Sequence, residues 1–325
     1  MKRTLLLIPL IILVATGIIL WWYSAVKPAS TDSTLKDFLI VKGSSAAQIG
    51  NKLFKEGLIK NPLAFKLYVQ ITSKARSIPA GEFRLSPSYS LFKLVDELVR
   101  GPREIWVTIP EGLRKEEIAA RFASSFDQGD VFIEEFVEAS KGMEGFLFPD
   151  TYLFPKEASA SAVVKKMRST FDVKTAEFEE EIASSSLSLN EIVTLASIVE
   201  RETKTNEERP VVAGILLNRL DIGMGLQADA TVQYAIASSK CVSNDCQWWP
   251  QITREDLEIA SPYNTYRFKG LPPAPIASPG ISSLRAAIIP SSTDYLYYLH
   301  DAKGEIHYAE TLEEHNANVR NYLGK

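Results

Sequence analysis

An apolar run from Leu5 to Tyr23, set directly after Met1-Lys2-Arg3, constrains this chain more than any other feature. It is close to the ~20 residues that a membrane-spanning helix requires. A cleaved signal peptide also starts with basic residues. The run is longer than the usual apolar core of such a peptide, however, and Ala25-Val26-Lys27 is a poor cleavage site. It also ends in Trp21-Trp22-Tyr23, the aromatic residues favoured at a membrane interface. The expectation is a retained anchor over residues 5–23. Lys2 and Arg3 precede it and only Lys27 follows closely, so the charge bias places residues 1–4 in the cytoplasm. Everything after the anchor then lies on the outer side of the cytoplasmic membrane.

A length of 325 residues suggests two or three compact units. With 36 basic and 40 acidic residues the net charge is -4, which gives no electrostatic basis for nucleic acid as the partner. A neutral partner such as a carbohydrate suits this balance. Cys241 and Cys246 fall in the exported part, where a small-loop disulfide is one option. A zinc site is poorly supported, because the chain has three histidines and none is near this pair.

Residues 24–36 are rich in Ser, Thr, Ala, Pro and Lys and read as a tether. Residues 37–101 read as a small α+β module: a strand at Phe38–Val41, helices over 46–57 and 62–71, a returning strand at 81–85 and a helix ending near Gly101. A connecting region, 102–160, contains two amphipathic segments and the aromatic stretch Glu144–Phe154, expected to be packing between domains rather than a sugar contact. Residues 161–325 begin with helices and end in strand-like runs at 296–300 and 306–309. The elements do not alternate regularly, so the class is α+β rather than doubly wound.

The sharpest helix signal covers Leu189–Thr203. Ser188 and Glu191 form a capping-box pair at its start. Ile192, Leu195, Ala196 and Val199 make its apolar stripe, with Thr194, Ser197 and Arg201 expected on the far side. Glu200 and Glu202 sit at the two borders of the stripe. A carboxyl held there by a rigid helix, and partly removed from water, is raised in pKa and suited to donate a proton near neutral pH. Helix geometry does not choose between the two, and border glutamates are often simple surface charges. Downstream, Gly225-Leu226-Gln227-Ala228-Asp229 and Ser261-Pro262-Tyr263-Asn264-Thr265-Tyr266 bring amide, carboxylate and aromatic groups of the kinds that bind sugars.

Taken in order, Leu195-Ala196-Ser197-Ile198-Val199-Glu200-Arg201-Glu202-Thr203, Asn218-Arg219-Leu220 with Gly225–Asp229, Tyr263-Asn264-Thr265-Tyr266, Gly270-Leu271-Pro272-Pro273 and Ser278-Pro279-Gly280 resemble the YceG-like (MltG-type) endolytic murein transglycosylases. The likeness covers nearly all of the chain beyond the anchor. It implies a LysM-like first module, a C-terminal α+β catalytic domain, and cleavage of peptidoglycan strands without a metal or other cofactor. Carried over residue by residue, it makes Glu200 the catalytic group. By a looser similarity to other lytic transglycosylases, Gln227 and Asn264 would line the sugar cleft; Asp229 and Tyr263 are further expected to bind substrate, with Glu202 in support. Ala230 and Ala274 depart from the family's usual Pro and Gly, and the Cys241–Cys246 segment is not part of its pattern.

The implied chemistry is proton donation from Glu200 to the oxygen between N-acetylmuramic acid and N-acetylglucosamine. The substrate's own C6 hydroxyl then closes a 1,6-anhydro ring, and strand growth ends. Wall synthases are the partners that such a role implies. One rival is a membrane-anchored peptidoglycan-binding protein without catalysis. Another is a cytosolic small-molecule lyase, opposed by the anchor and by the lack of a recognisable cofactor-lysine motif.

Overall fold

The structure, a computed structural model, describes residues 2–41, 43–101, 104–241 and 246–324, with side chains from residue 12 onward. It is a mixed α+β structure in two units. The first comprises residues 1–106 with 153–156, and the second residues 107–152 with 157–325.

The first unit contains α1 (Lys2–Ala25), β1 (Lys36–Ile40), α2 (Ala46–Lys55), α3 (Pro62–Ile71), β2 (Gly81–Leu85) and α4 (Leu91–Arg100), after which β3 (Glu104–Thr108) leads out of it. Its helices begin where local chemistry starts them. Ser45 and Gln48 close a capping box, Asn61 caps a helix with Pro at its first turn, and Ser90 accepts from the Lys93 N–H. Strands β1 and β2 pair antiparallel with Phe38 opposite Phe83, and the period of two turns Phe38, Ile40, Phe83 and Leu85 inward. Leu53, Phe65, Leu94 and Leu98 complete this core.

The expected tether is only partly free. Ala25 and Val26 are buried in this same core, the Val26 carbonyl accepts from the Leu91 N–H, and Ser30 and Asp32 bond to Pro87 and Ser86. Burial of two small apolar residues outweighs the flexibility suggested by the composition of the segment. Residues 5–11 of the expected anchor lie outside the described side chains. Among the described residues no single helix is long and apolar enough to cross a membrane, and Ile12–Ala25 is a shorter apolar helix.

The second unit runs α5 (Lys115–Phe126), α6 (Asp130–Ala139), β4 (Thr151–Pro155), α7 (Ala160–Thr175), α8 (Glu179–Ser184), α9 (Leu189–Glu202), α10 (Glu208–Asp221), α11 (Asp229–Lys240), α12 (Ile281–Ile288), β5 (Tyr297–His300), β6 (Ile306–Ala309) and α13 (Leu312–Asn318). Strand β4 returns the chain briefly to the first unit. The connecting region is therefore no separate piece: α5 and α6 belong to the second unit. Phe146 and Phe148 of the aromatic stretch pack into that unit's own core, while Phe154 falls in the first unit.

Helix α9 is the axis of this core. Residues 192–199 are all buried, including Thr194 and Ser197, which the wheel had put on an open face. The hydroxyls make that tolerable. Thr194 donates to the Asn190 carbonyl, while Ser197 donates to Thr194 and accepts from the Ile276 N–H at 3.0 Å. Buried polar groups with local partners carry little penalty, so polarity alone misjudged the face.

Gly214 fixes another contact. A Cβ there would lie 2.3 Å from the Ser291 carbonyl oxygen, a backbone atom on the segment leading to β5. Replacing Gly214 with alanine is expected to cost about 2 kcal/mol, the usual range for overpacking, although alanine is the better helix former. Urea unfolding of the variant would measure this, and an unchanged midpoint would contradict the close approach.

Strands β5 and β6 form an antiparallel hairpin with Tyr298 opposite Tyr308. Cys241 and Cys246 are joined as a disulfide, with Cα atoms 5.6 Å apart. This resolves the choice that the sequence left open.

Candidate active site

The end of α9 separates the two glutamates that the sequence placed together. Two residues along a helix is a rotation of about 200°, so their carboxyls leave on different sides.

Glu200 turns toward α10 and α12. Its Oε1 accepts from Arg209 Nη2 at 2.9 Å, and its Oε2 accepts from the Gly280 N–H at 2.9 Å and the Ser283 hydroxyl at 2.8 Å. Gly280 is the N-cap of α12 and has no side chain to cap with, so the Glu200 carboxylate does this instead. The Glu200 side chain is 7 % exposed and that of Arg209 11 %. Glu111 approaches the same guanidinium at 3.6 Å, and its carboxyl is pushed up by burial and by the Glu200 charge, against the pull of Arg209. Glu200 thus joins three helices and lines neither of the two cavities described below.

Glu202 turns toward the hairpin and faces a cavity of about 390 Å³, within the range of small-ligand sites. Arg219, Gln227, Asp229, Tyr266, Tyr298 and His315 line it as well. The Tyr298 hydroxyl donates to Glu202 Oε2 at 3.0 Å, and the Tyr266 hydroxyl donates to Asp229 Oδ1 at 2.6 Å. Burial pushes the Glu202 carboxyl up to about 7, and the Asp229 charge adds to this, while the Tyr298 hydrogen bond and Arg219 pull the other way. The carboxyl is therefore half protonated near neutral pH. Such a group can both give and accept a proton during a reaction.

Gln227 has φ +50, a left-handed conformation uncommon for a residue with a side chain. The backbone around it is held by the Gln227 N–H to the Thr265 carbonyl and the Ala228 N–H to the Thr265 hydroxyl. Strain of this kind persists where the surroundings over-determine it, often at functional sites. Asp229 then starts α11, so the turn delivers amide and carboxylate to one wall.

Of the residues that the sequence singled out, Glu202, Gln227 and Asp229 converge. Glu200, Tyr263 and Asn264 do not. Asn264 is fully buried: its Nδ2 donates to the Leu257 and Ile259 carbonyls, and its Oδ1 accepts from the Tyr266 N–H. It shapes the loop that presents Tyr266. Tyr263 is half-buried and packs on Tyr234 at the edge of the core, with ring centroids 4.7 Å apart. Tyr266, Tyr298 and Arg219 were inside segments noted in the sequence, but only the fold marks them out. A second, larger cavity of about 570 Å³ contains Gly270–Pro273 and Glu191. That acid already closes the α9 capping box, so the cavity has no free proton donor of its own.

The model of the YceG-like family matches residues 38–321. The chain belongs to the YceG-like family. An endolytic murein transglycosylase of Bacillus subtilis (strain 168) is 32% identical to it, over 96% of this chain and 91% of that protein. A protein of the same name in Streptococcus pneumoniae serotype 2 is 29% identical over 90% of this chain, which spans 60% of that longer relative. Among solved structures, a YceG-like protein from Listeria monocytogenes aligns with a TM-score of 0.58 and 31% identity, covering 88% of this chain and 99% of that one. With this family the fold is shared along both units, since the matched residues run from β1 past α13.

Proposed function

We propose that this chain is an endolytic murein transglycosylase, cutting the bond between N-acetylmuramic acid and N-acetylglucosamine within peptidoglycan strands, and that Glu202 is its acid and base. The observation that carries the assignment is the placement of Glu202: a carboxyl raised to about 7 in a sugar-sized cavity, facing Gln227, Asp229 and Tyr266. Glu200, which the family likeness favoured, is instead committed to Arg209, Gly280 and Ser283. Giving up these three hydrogen-bond donors to act as an acid would dismantle the contact of three helices.

In this reading, protonated Glu202 donates to the glycosidic oxygen as the bond from the muramic C1 breaks. The developing positive charge at C1 is met by the muramic C6 oxygen, and Glu202, now a carboxylate, takes the C6 proton. One proton leaves Glu202 and one returns, so no water is consumed and no second catalytic acid is required. Asp229, hydrogen-bonded by Tyr266, and the Gln227 amide hold sugar hydroxyl and N-acetyl groups.

The reading extends to the rest of the chain. The apolar start of α1 anchors the enzyme in the cytoplasmic membrane with its body on the outer side, the first unit is a LysM-like glycan-holding module, and wall synthases work alongside. Tethering at the surface where strands emerge raises the effective substrate concentration.

Incubating the full chain with purified murein and analysing the products by mass tests this. Muropeptides ending in 1,6-anhydro-muramic acid are expected. Reducing ends would mean hydrolysis, and intact murein would favour the non-catalytic binding protein. The pH dependence adds a second check. The reaction begins from protonated Glu202, whose pKa is raised to about 7. Cleavage should therefore hold below that pH and fall about tenfold per unit above it. A rate that stays level to pH 9 would remove Glu202 from the role.

A further inference from the structure

Arg219 sits near the C-terminal end of α10, almost entirely buried. Its Nε donates to the Leu296 carbonyl and its Nη1 to the Leu226 carbonyl, each at 2.6 Å. Leu226 precedes the strained Gln227, and Leu296 precedes β5, which carries Tyr298. One planar guanidinium therefore bridges two backbone segments that both line the cavity. Its neighbour Asn218 continues the attachment, with Nδ2 donating to the Thr293 and Tyr295 carbonyls at 2.7 and 3.0 Å. The guanidinium carbon also lies 5.6 Å and 6.0 Å from the Tyr297 and Tyr298 ring centroids. Both acceptor carbonyls stand one residue before a segment that lines the cavity, Leu226 before Gln227 and Leu296 before β5, so the guanidinium ties together two parts of its lining.

We propose that Arg219 is a positioning residue for the cleavage: its guanidinium sets the spacing between the Gln227 turn and the Tyr298 strand, and so aims the Glu202 carboxyl at the bound glycan. This rests on the reading that Glu202 is the acid. Arginine suits the task because its fork is flat and rigid and reaches two acceptors in fixed directions, whereas a lysine ammonium reaches one point at the end of a flexible stem. Arg219 also supplies the positive charge facing Glu202. The other groups around that carboxyl are Asp229 on α11, Tyr266 on the loop between α11 and α12, Tyr298 and His300 on β5 and His315 on α13, with Arg201 adjacent on α9. Removing the guanidinium thus has two separable consequences, one geometric and one electrostatic.

The test uses the full chain, purified murein, and two variants, Arg219→Lys and Arg219→Gln, each checked for folding by circular dichroism. Arg219→Lys keeps the charge and loses the bridge. Its kcat is expected to fall at least about tenfold, as misplacement of reacting groups does, with KM nearly unchanged and the alkaline limb of the pH profile in place. Arg219→Gln loses both, so its kcat should fall similarly and its alkaline limb should move to higher pH, since the cation that pulled the Glu202 carboxyl down is gone. Activity of Arg219→Lys within about threefold of the parent would overturn the proposal. So would an unmoved limb in Arg219→Gln, or failure of the Lys variant to fold, because the residue would then hold the domain together rather than aim the acid. If the parent chain itself leaves murein uncut, it is the reading of Glu202 that fails, and the two failures are told apart by that control.

Discussion

Glu202→Gln is expected to reduce murein cleavage by about a thousandfold or more while leaving the protein folded. General acid and base contributions are of order 10²–10⁴, and here one carboxyl serves both halves of the reaction. Glutamine keeps the shape and an acceptor for the Tyr298 hydroxyl, which donates to Oε2 in the native site. It carries no proton that it can release near neutral pH. Burial is what raises the Glu202 carboxyl, so the neutral amide should also relieve a small desolvation cost and leave thermal stability equal or slightly higher. Production of anhydro-muropeptides, followed over time against the parent chain, measures the loss. Full activity in Glu202→Gln, together with none in a folded Glu200→Gln, would reverse the assignment and restore the residue that the family likeness favoured.

The second large effect is on stability, and it falls on Glu200. Truncation to alanine leaves the guanidinium of Arg209 without its closest charged partner in a place where its side chain is 11 % exposed, although Asn206 still accepts from it. Breaking a buried pair from one side costs about 3–5 kcal/mol. The lower end applies, because Glu111 stands 3.6 Å from the same guanidinium and takes up part of the charge. Loss of the substitute cap on α12 adds to the cost, since the Gly280 N–H and Ser283 hydroxyl both donate to this carboxylate. Glu200→Ala should thus unfold at lower urea by the equivalent of about 3 kcal/mol. A change below about 1 kcal/mol would mean that the ion pair is not the joint between α9, α10 and α12 that its hydrogen bonds describe.

These two residues also show how far local reasoning reached. The capping pair Ser188 and Glu191, the length of α9 and the presence of a carboxyl at each border of its stripe were legible because they depend on residues within a turn or two of each other. Apart from Arg209, nine residues on from Glu200, what each carboxyl meets comes from residues 80 to 96 positions away: Gly280 and Ser283 for one, Tyr298 for the other. No spacing rule contains that information. Tyr263 and Asn264 follow the same logic, as polar and aromatic residues that looked ready for a sugar but serve the loop and core around Tyr266. The wheel likewise put Ser197 in the open, and it is buried because the Ile276 N–H is brought to it from elsewhere in the chain.

The sequence by itself determined the mixed α+β class, the elements of the first unit after α1 to within a residue or two, the helix that bears Glu200 and Glu202, and the family. All of these follow from short-range periodicity, capping and ordered motifs. Only the tertiary structure decided which glutamate faces a cavity, that residues 107–152 fall in the second unit, and that Arg219 hydrogen-bonds the Leu226 and Leu296 carbonyls. The physical reason is that burial, and with it the protonation of a carboxyl, depends on what the folded chain places around it. In α9 the neighbours that matter arrive from α10, the Gln227 turn and the C-terminal hairpin.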